Sequence, residues 1–356
     1  MKSNLFDSIS ERESLWDYLA RAGKPIVLYG MGDGAVKVIN ALSAYGLKPD
    51  GIFASDEFVR GHSFCGFRVK KLSEIESEYD DFIILLCFGA GYDSLIEKIC
   101  EIGRRHELYA PDLPVFGEGL FTYEYLLDNM EAASEVYNML ADDLSKKVYS
   151  DILNFKISGK TEYLFSCETD RTEIVTSVLA PSADDTYFDL GAYNGDTVAE
   201  ALSYTGGVMK RVVAFEPDKR NFKKLCENVK DLDFVTALNA GAWNEDAVLS
   251  FSQRSGRNSS VSGQGKPTQM RSVDSVAAGE EVTLIKMDVE GAEREALLGA
   301  SGTIGKFRPR LEIACYHRNE DMLRLPLLVK KINPEYEIYM RHHRYIPAWE
   351  TNLYAK

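Results

Sequence analysis

The stretch "YFDLGAYNGDT", Tyr187 to Thr197, runs from apolar residues and an acid into a turn that carries two glycines. A strand ending on such a turn is the repeating unit of an open parallel sheet, whose ligands bind beyond the carboxyl ends of the strands. Gly191 and Gly195 let the chain turn sharply and leave room for a ligand close to the backbone. Their spacing is G-x-x-x-G rather than the G-x-G-x-x-G that cradles a pyrophosphate. Asp189, just before the turn, opposes an anionic ligand and suits one that carries positive charge.

Outward from this turn, the next strand ends in "AFEPD". Glu216 lies one strand–helix–strand step beyond the glycines, where an acid can accept both hydroxyls of a ribose. NAD and S-adenosylmethionine share that ribose, so Glu216 alone does not choose between them. S-adenosylmethionine has a sulfonium and an ammonium group and no phosphate, which agrees with Asp189. A third strand opens "LIKMDVEGAEREAL", where Asp288, Glu290 and Glu293 cluster as an apolar run emerges and Gly291 permits another tight turn. Glu293 and Glu295 read as acids that complement a helix N-terminus. Asp288 closes the apolar run and so stands at the functional edge of the sheet. The strand "LEIACYHR" brings Glu312 within it and His317 to the same edge.

The blocks "YFDLGAYNGDT", "VVAFEPD", "ALNAGAWNE", "SVDSV" and "LIKMDVEGAE", in this order and spacing, resemble the FkbM family of S-adenosylmethionine-dependent methyltransferases. The resemblance covers about residues 181–356. It implies an α/β fold of class I, Rossmann-like and seven-stranded, with the last strand antiparallel. It also implies O-methylation of sugars, glycans or secondary-metabolite hydroxyls. By position, Asp189 and Gly191 would face the methionine part of the cofactor, and Asn194 and Gly195 would also be cofactor-binding. Glu216 would face the ribose, Gly241 and Ala242 the adenine, and Asp288 would lie between donor methyl and acceptor.

Methyl transfer is an in-line displacement at carbon, so the protein mainly aligns the partners and excludes water. A base that removes the hydroxyl proton adds about 10²–10⁴-fold. Asp288 and His317 are the candidates for that role. A divalent metal held by Asp288 and Glu290 is the lesser alternative, and the leading expectation is no metal.

A second turn, "IVLYGMGDGA", fits G-x-G-x-x-A at Gly30, Gly32 and Ala35, with Asp56 about a ribose-reading distance downstream. No second mononucleotide-binding half follows it. With "RGHSFCGFRVKKLSEI" it resembles the small nucleotide-binding domain at the front of bacterial sugar acetyltransferases, which contacts a nucleotide-linked sugar. Three readings stay open for this part: a nucleotide-sugar module, an NAD site, or a domain that serves packing or dimerisation.

The 356 residues suffice for two domains. Residues 1–125 alternate strands and helices and read as a smaller Rossmann-like α/β domain. Residues 126–180 read as a connector of two or three helices, and 181–356 as the larger α/β domain. "FVTALNAGAW" reads as one strand, and "YEIYMRHHR" with "ETNLYAK" as a closing hairpin. The polar stretch Ser252 to Pro267 reads as a long functional loop.

A net charge of −14 excludes broad nucleic-acid binding. The short "RHHR" at Arg341 to Arg344 reads as a solvated strand end. Six scattered cysteines fit neither a zinc cage nor a disulfide scaffold, and read as small buried residues in a reducing compartment. No window has the length of a membrane span, and the N-terminus has no signal-like apolar core, so a cytoplasmic protein is expected.

Together these features point to an O-methyltransferase using S-adenosyl-L-methionine on a sugar, nucleotide-sugar or glycan-precursor hydroxyl, with a homodimer as the assembly to test. The alternatives are a nucleotide-sugar-binding protein with a non-catalytic methyltransferase-like half, and an NAD-dependent sugar oxidoreductase.

Overall fold

The structure, a computed structural model, describes residues 4–253, 259–261 and 266–356. Among the described residues the strands form three sheets. The first contains β1 (Ile26–Tyr29), β2 (Gly51–Phe53), β3 (Ser63–Phe64), β4 (Phe67–Lys70), β5 (Ile83–Leu86) and β6 (Glu107–Tyr109). Their order is β3-β4-β2-β1-β5-β6, parallel except for β3. The apolar runs of β1 and β5 are buried throughout because helices cover both faces of a parallel sheet.

The C-terminal sheet is built from β7 (Thr186–Leu190), β8 (Arg211–Phe215) and β9 (Val235–Leu238). A small separate sheet, in the order β10-β13-β11-β12, holds β10 (Gly241–Ala242), β11 (Ala247–Gln253), β12 (Ser259–Val261) and β13 (Lys266–Arg271). The large sheet is completed by β14 (Leu284–Met287), β15 (Arg310–Ala314), β16 (Ile338–His342) and β17 (Thr351–Ala355). Its order is β16-β17-β15-β14-β7-β8-β9. Only β17 runs against its neighbours, and it slots between β15 and β16. The strand order therefore reverses between β14 and β7, which puts the ligand-binding crevice beside the Gly191 turn.

Alternation along these strands sends Phe188, Leu190, Val213, Phe215, Ile285, Met287, Leu311 and Ile313 into one core, shared with the first sheet. Each large side chain buried there contributes about 1.5–3 kcal/mol. The opposite face is apolar as well, with Tyr187, Val212, Ala214 and Leu284, but it also receives three charged residues described below.

Several sequence expectations change. "FVTALNAGAW" is not one strand: it breaks after Leu238, and Gly241–Ala242 pairs with β13 in the small sheet. The connector has five helical segments rather than two or three: Tyr123–Asp128, Met130–Met139, Asp143–Ser158, Glu162–Ser166 and a last one from Arg171 through Leu179. Short polar breaks, with caps at Thr122, Asp142 and Asp170, divide what reads as continuous periodicity. The stretch Ser252 to Pro267 is partly sheet, through β12 and the start of β13. Its residues 254–258 and 262–265 lie outside the described residues.

"RHHR" is not a solvated strand end, because Arg341, His342 and His343 are buried. Helix Asp143–Ser158 lies over the β16–β17 hairpin, and Arg341 pairs with Asp142 at 2.7 Å while His343 meets the Tyr354 hydroxyl at 2.8 Å. Burial holds the His342 ring far down, to about 3, so it is neutral. The cysteines are free, and Cys87, Cys167 and Cys315 are buried while Cys65 is exposed. No helix among the described residues is long and apolar enough to cross a membrane.

Candidate active site

The carboxyl ends of β7, β8, β14 and β15 meet at one edge. Register aligns Asp189 with Lys286, and Lys286 with Glu312, so three charged residues form a row across neighbouring strands. All three point to the same face because strand side chains alternate. Asp189 is fully buried; Thr197 donates its hydroxyl to Oδ2, and Lys286 Nζ stands 3.4 Å from Oδ1. Burial pushes the Asp189 carboxyl up, against the pull of Lys286. Lys286 resists burial and stays protonated because Asp189, Asp288 and Glu312 surround it. Glu312 in turn pairs with Arg171 at 2.6 Å, and Arg171 with Glu200 at 2.6 Å.

Asp189 therefore already has a resident cation, and its carboxylate is not open to a ligand in the way its sequence position suggests. Lys286 is the residue that sequence reasoning missed. It sits inside the apolar run "LIKM", where its own charge is the available signal.

Lys286 also donates to the Gly191 carbonyl at 3.1 Å, fixing the turn. Gly191 has φ +89°, and a Cβ there would run into the Asp288 carbonyl oxygen. Glycine thus lets the ends of β7 and β14 touch back to back. Gly195 is also left-handed and opens helix Asp196–Tyr204; Asn194 Oδ1 accepts from Asp196 N at 3.1 Å. The exposed Asp196, with no Lys or Arg between Gly191 and Thr197, suits a ligand without phosphate.

Glu216, just past β8, is buried, and Oε1 accepts from Asp218 N at 2.7 Å. Burial pushes its carboxyl up to about 7, only partly offset by the Asp218 and Tyr193 backbone donors. Gly241 lies against Met270, whose methyl carbon would be 2.7 Å from an added Cβ, and Ala242 is buried beside it.

Asp288 is about one-third exposed and accepts from the Tyr316 hydroxyl at 3.2 Å. His317 is buried within a ring of acids: Nε2 is 3.5 Å from both Asp288 and Glu290, and Nδ1 is 2.9 Å from Glu293. Burial opposes its charge, but Glu293, Asp288 and Glu290 outweigh that and raise the imidazole to about 10. A ring already protonated cannot take a proton, so in this state His317 does not serve as the expected base. Glu293 does more than complement a helix: Oε1 accepts from Val289 N and Gly291 N, closing the turn around Gly291. Behind it, burial and Glu293 push the Asp321 carboxyl up.

The N-terminal part reaches this edge. Phe116 N donates to the His317 carbonyl at 2.9 Å, its ring centroid lies 6.1 Å from the imidazole, and it packs on Gly291. Lys37 ties the preceding residues down through the Pro114 and Val115 carbonyls, both at 3.1 Å. In the first glycine turn, Gly30 packs on Phe88 and Gly32 faces open space before helix Asp33–Ala44, with φ +110° and +124°. Ala35 is buried, but the glycine required by close packing is Gly34, where a Cβ would strike the Cys87 carbonyl. Asp56 is exposed and pairs with Lys71 at 3.5 Å.

This strand order, with acids at the ends of β8 and β14, is that of a Rossmann-like methyltransferase domain. Residues 189–347 match the family model of the methyltransferase FkbM domain. The whole fold resembles the crystal structure of methyltransferase FkbM from Methylobacillus flagellatus KT, with a TM-score of 0.72 at 22% identity. That likeness covers 100% of this chain and 94% of the other, so it extends to the N-terminal α/β part. More distant are an rRNA methylase from Streptococcus thermophilus (16% identity, 51% of this chain and 90% of that one, TM-score 0.33). Aeropyrum pernix fibrillarin, solved with bound S-adenosyl-L-methionine, stands similarly (13% identity, 52% and 71%, TM-score 0.35). No curated protein matches the sequence.

Proposed function

We propose that the protein is an S-adenosylmethionine-dependent O-methyltransferase acting on a hydroxyl of a sugar, nucleotide-sugar or glycan precursor. The observation that carries this reading is the contact between Gly191 and Asp288: the cofactor turn and the acceptor-facing acid are packed against each other. The residues at the turn fit the cofactor, since Glu216 offers a carboxylate for ribose hydroxyls and the turn lacks phosphate-binding bases. When bound, S-adenosylmethionine supplies an activated methyl group on a sulfonium.

The chain's own residues then do four things. Glu216 holds the ribose end, and the Gly191–Gly195 turn, braced by Lys286, fixes the amino-acid end. Asp288, partly open to solvent, accepts the hydroxyl proton as the acceptor oxygen bonds to the methyl carbon and the carbon–sulfur bond breaks. Tyr316 and His317 orient that carboxylate. Phe116 covers the inner side of the site and limits water there. The N-terminal sheet, with its open Gly32 turn, takes the role of acceptor-recognition module, and the cytoplasm is the expected compartment.

Incubation with ¹³C-methyl-labelled S-adenosylmethionine and a panel of nucleotide-sugars, read by NMR, tests the proposal. A new ¹³C methyl-ether signal is expected. Methyl transfer to a nitrogen or carbon acceptor instead would reject the O-methyl assignment.

A further inference from the structure

The geometry points to a divalent-cation site formed by Asp288, Glu293 and His317 at the acceptor side of the cleft. One ligand atom from each residue, two carboxylate oxygens and a ring nitrogen, lie within 4.8 Å of one another. That spacing is compatible with a cation roughly 2.0–2.5 Å from each such ligand. This set differs from the Asp288–Glu290 pair that the sequence suggests. Glu290 also lies 3.5 Å from His317 Nε2 but does not join the group of mutually close ligand atoms, whereas Glu293, from the first helical turn, faces the imidazole at 2.9 Å.

An independent observation supports a missing partner. Glu293 is buried, its Oε1 accepts from Val289 N and Gly291 N and lies 2.9 Å from His317 Nδ1, and both its Oε2 and that ring nitrogen are buried with no hydrogen-bond partner. Buried carboxylate oxygens are rarely left so, and each one calls for an explanation. The surroundings agree: carboxylate oxygens of Asp288, Glu290 and Glu293 lie 2.9–3.5 Å from one imidazole, while Arg318 directs Nε to the Gly291 carbonyl rather than to the acids.

The three residues divide the work of a catalytic metal centre. Glu293 and His317 are buried and held by the turn, so they set the geometry. Asp288 is partly exposed and leaves the outer side open for an acceptor hydroxyl. Two carboxylates and one imidazole suit a cation of the magnesium, manganese or zinc type. The inference rests on the methyl-transfer reading and deepens it: the cation lowers the pKa of the acceptor hydroxyl. With the cation in place Asp288 would serve as its ligand instead of as the base, and the hydroxyl proton would pass to water at the open side as the oxygen–carbon bond forms and the carbon–sulfur bond breaks, its electron pair returning to sulfur.

The test uses full-length protein stripped with a chelator and dialysed, then titrated with Mn²⁺ and followed by electron paramagnetic resonance. One Mn²⁺ per chain is expected, with at least ten-fold weaker binding in Asp288→Asn and Glu293→Gln. Should a variant fail to fold, electron spin-echo spectra of the wild type give a variant-free answer, because a histidine ligand adds ¹⁴N coupling. No saturable Mn²⁺ binding, bound Mn²⁺ without nitrogen coupling, or unchanged affinity in both variants overturns the site. Calorimetry with S-adenosylmethionine on the same metal-free sample separates the two claims. Cofactor binding without Mn²⁺ binding removes the cation alone, and Mn²⁺ binding without cofactor binding removes the methyl-transfer reading.

Discussion

Lys286 reaches across from β14 to stand 3.4 Å from the buried Asp189 carboxylate while donating to the Gly191 carbonyl. One side chain thus neutralises the acid before the turn and braces the turn itself. Lys286→Met would strand a buried carboxylate and cost about 3–5 kcal/mol. The double change Asp189→Asn with Lys286→Met removes both charges and should recover part of that loss, as urea unfolding of the cycle would show. Strictly additive losses would mean that the two residues do not depend on each other.

Glu216 connects cofactor affinity to pH. Its folded carboxyl is raised to about 7 by burial. For stability, this group's contribution is most favourable below its unfolded value near 4.5, declines as pH rises toward 7, and is level above that. For binding the sign is opposite, since the ionised form accepts ribose hydroxyls. Affinity for S-adenosylmethionine should therefore be roughly ten-fold higher at pH 8 than at pH 6. Glu216→Gln should flatten that profile; a profile that persists in the variant would place the titration elsewhere.

His317 is predicted to remain an imidazolium in the metal-free protein at pH 8, visible in its ring ¹³C shifts. Its folded value is raised from 6.5 to about 10 by Glu293, Asp288 and Glu290, in spite of burial. The stability it provides is full below about 6.5 and is lost as pH climbs through 10. Melting temperature should fall between pH 7 and pH 10, and His317→Gln should weaken that fall. A neutral ring at pH 8 would return His317 to the role of base.

Gly191→Ala tests the contact between β7 and β14. A Cβ at φ +89° and against the Asp288 carbonyl costs roughly 2 kcal/mol or more, so the melting temperature should drop by several degrees. A fully stable variant would show that the two strand ends can separate.

The sheet edge was legible in the sequence because its signals are local. Glycine turns at Gly191 and Gly291 follow apolar runs, and Glu216, Asp288 and His317 come at or just beyond strand ends. Non-local pairings were not legible. Lys286 reads as a lone charge in a strand until register sets it beside Asp189 and Glu312. Glu293 reads as a helix-start acid until the fold brings His317 to 2.9 Å. "RHHR" reads as solvated because the helix that buries it comes almost two hundred residues earlier. In the N-terminal turn the G-x-G-x-x-A pattern passes over Gly34, whose need for glycine comes from Cys87 just past the end of β5.

The central claim is that the Gly191 turn and Glu216 bind S-adenosylmethionine, and isothermal calorimetry measures this directly. The account predicts one site per chain for S-adenosylmethionine, and affinity at least ten-fold weaker in Glu216→Ala through loss of charge-assisted hydrogen bonds. Heat of binding with NAD and none with S-adenosylmethionine would contradict it.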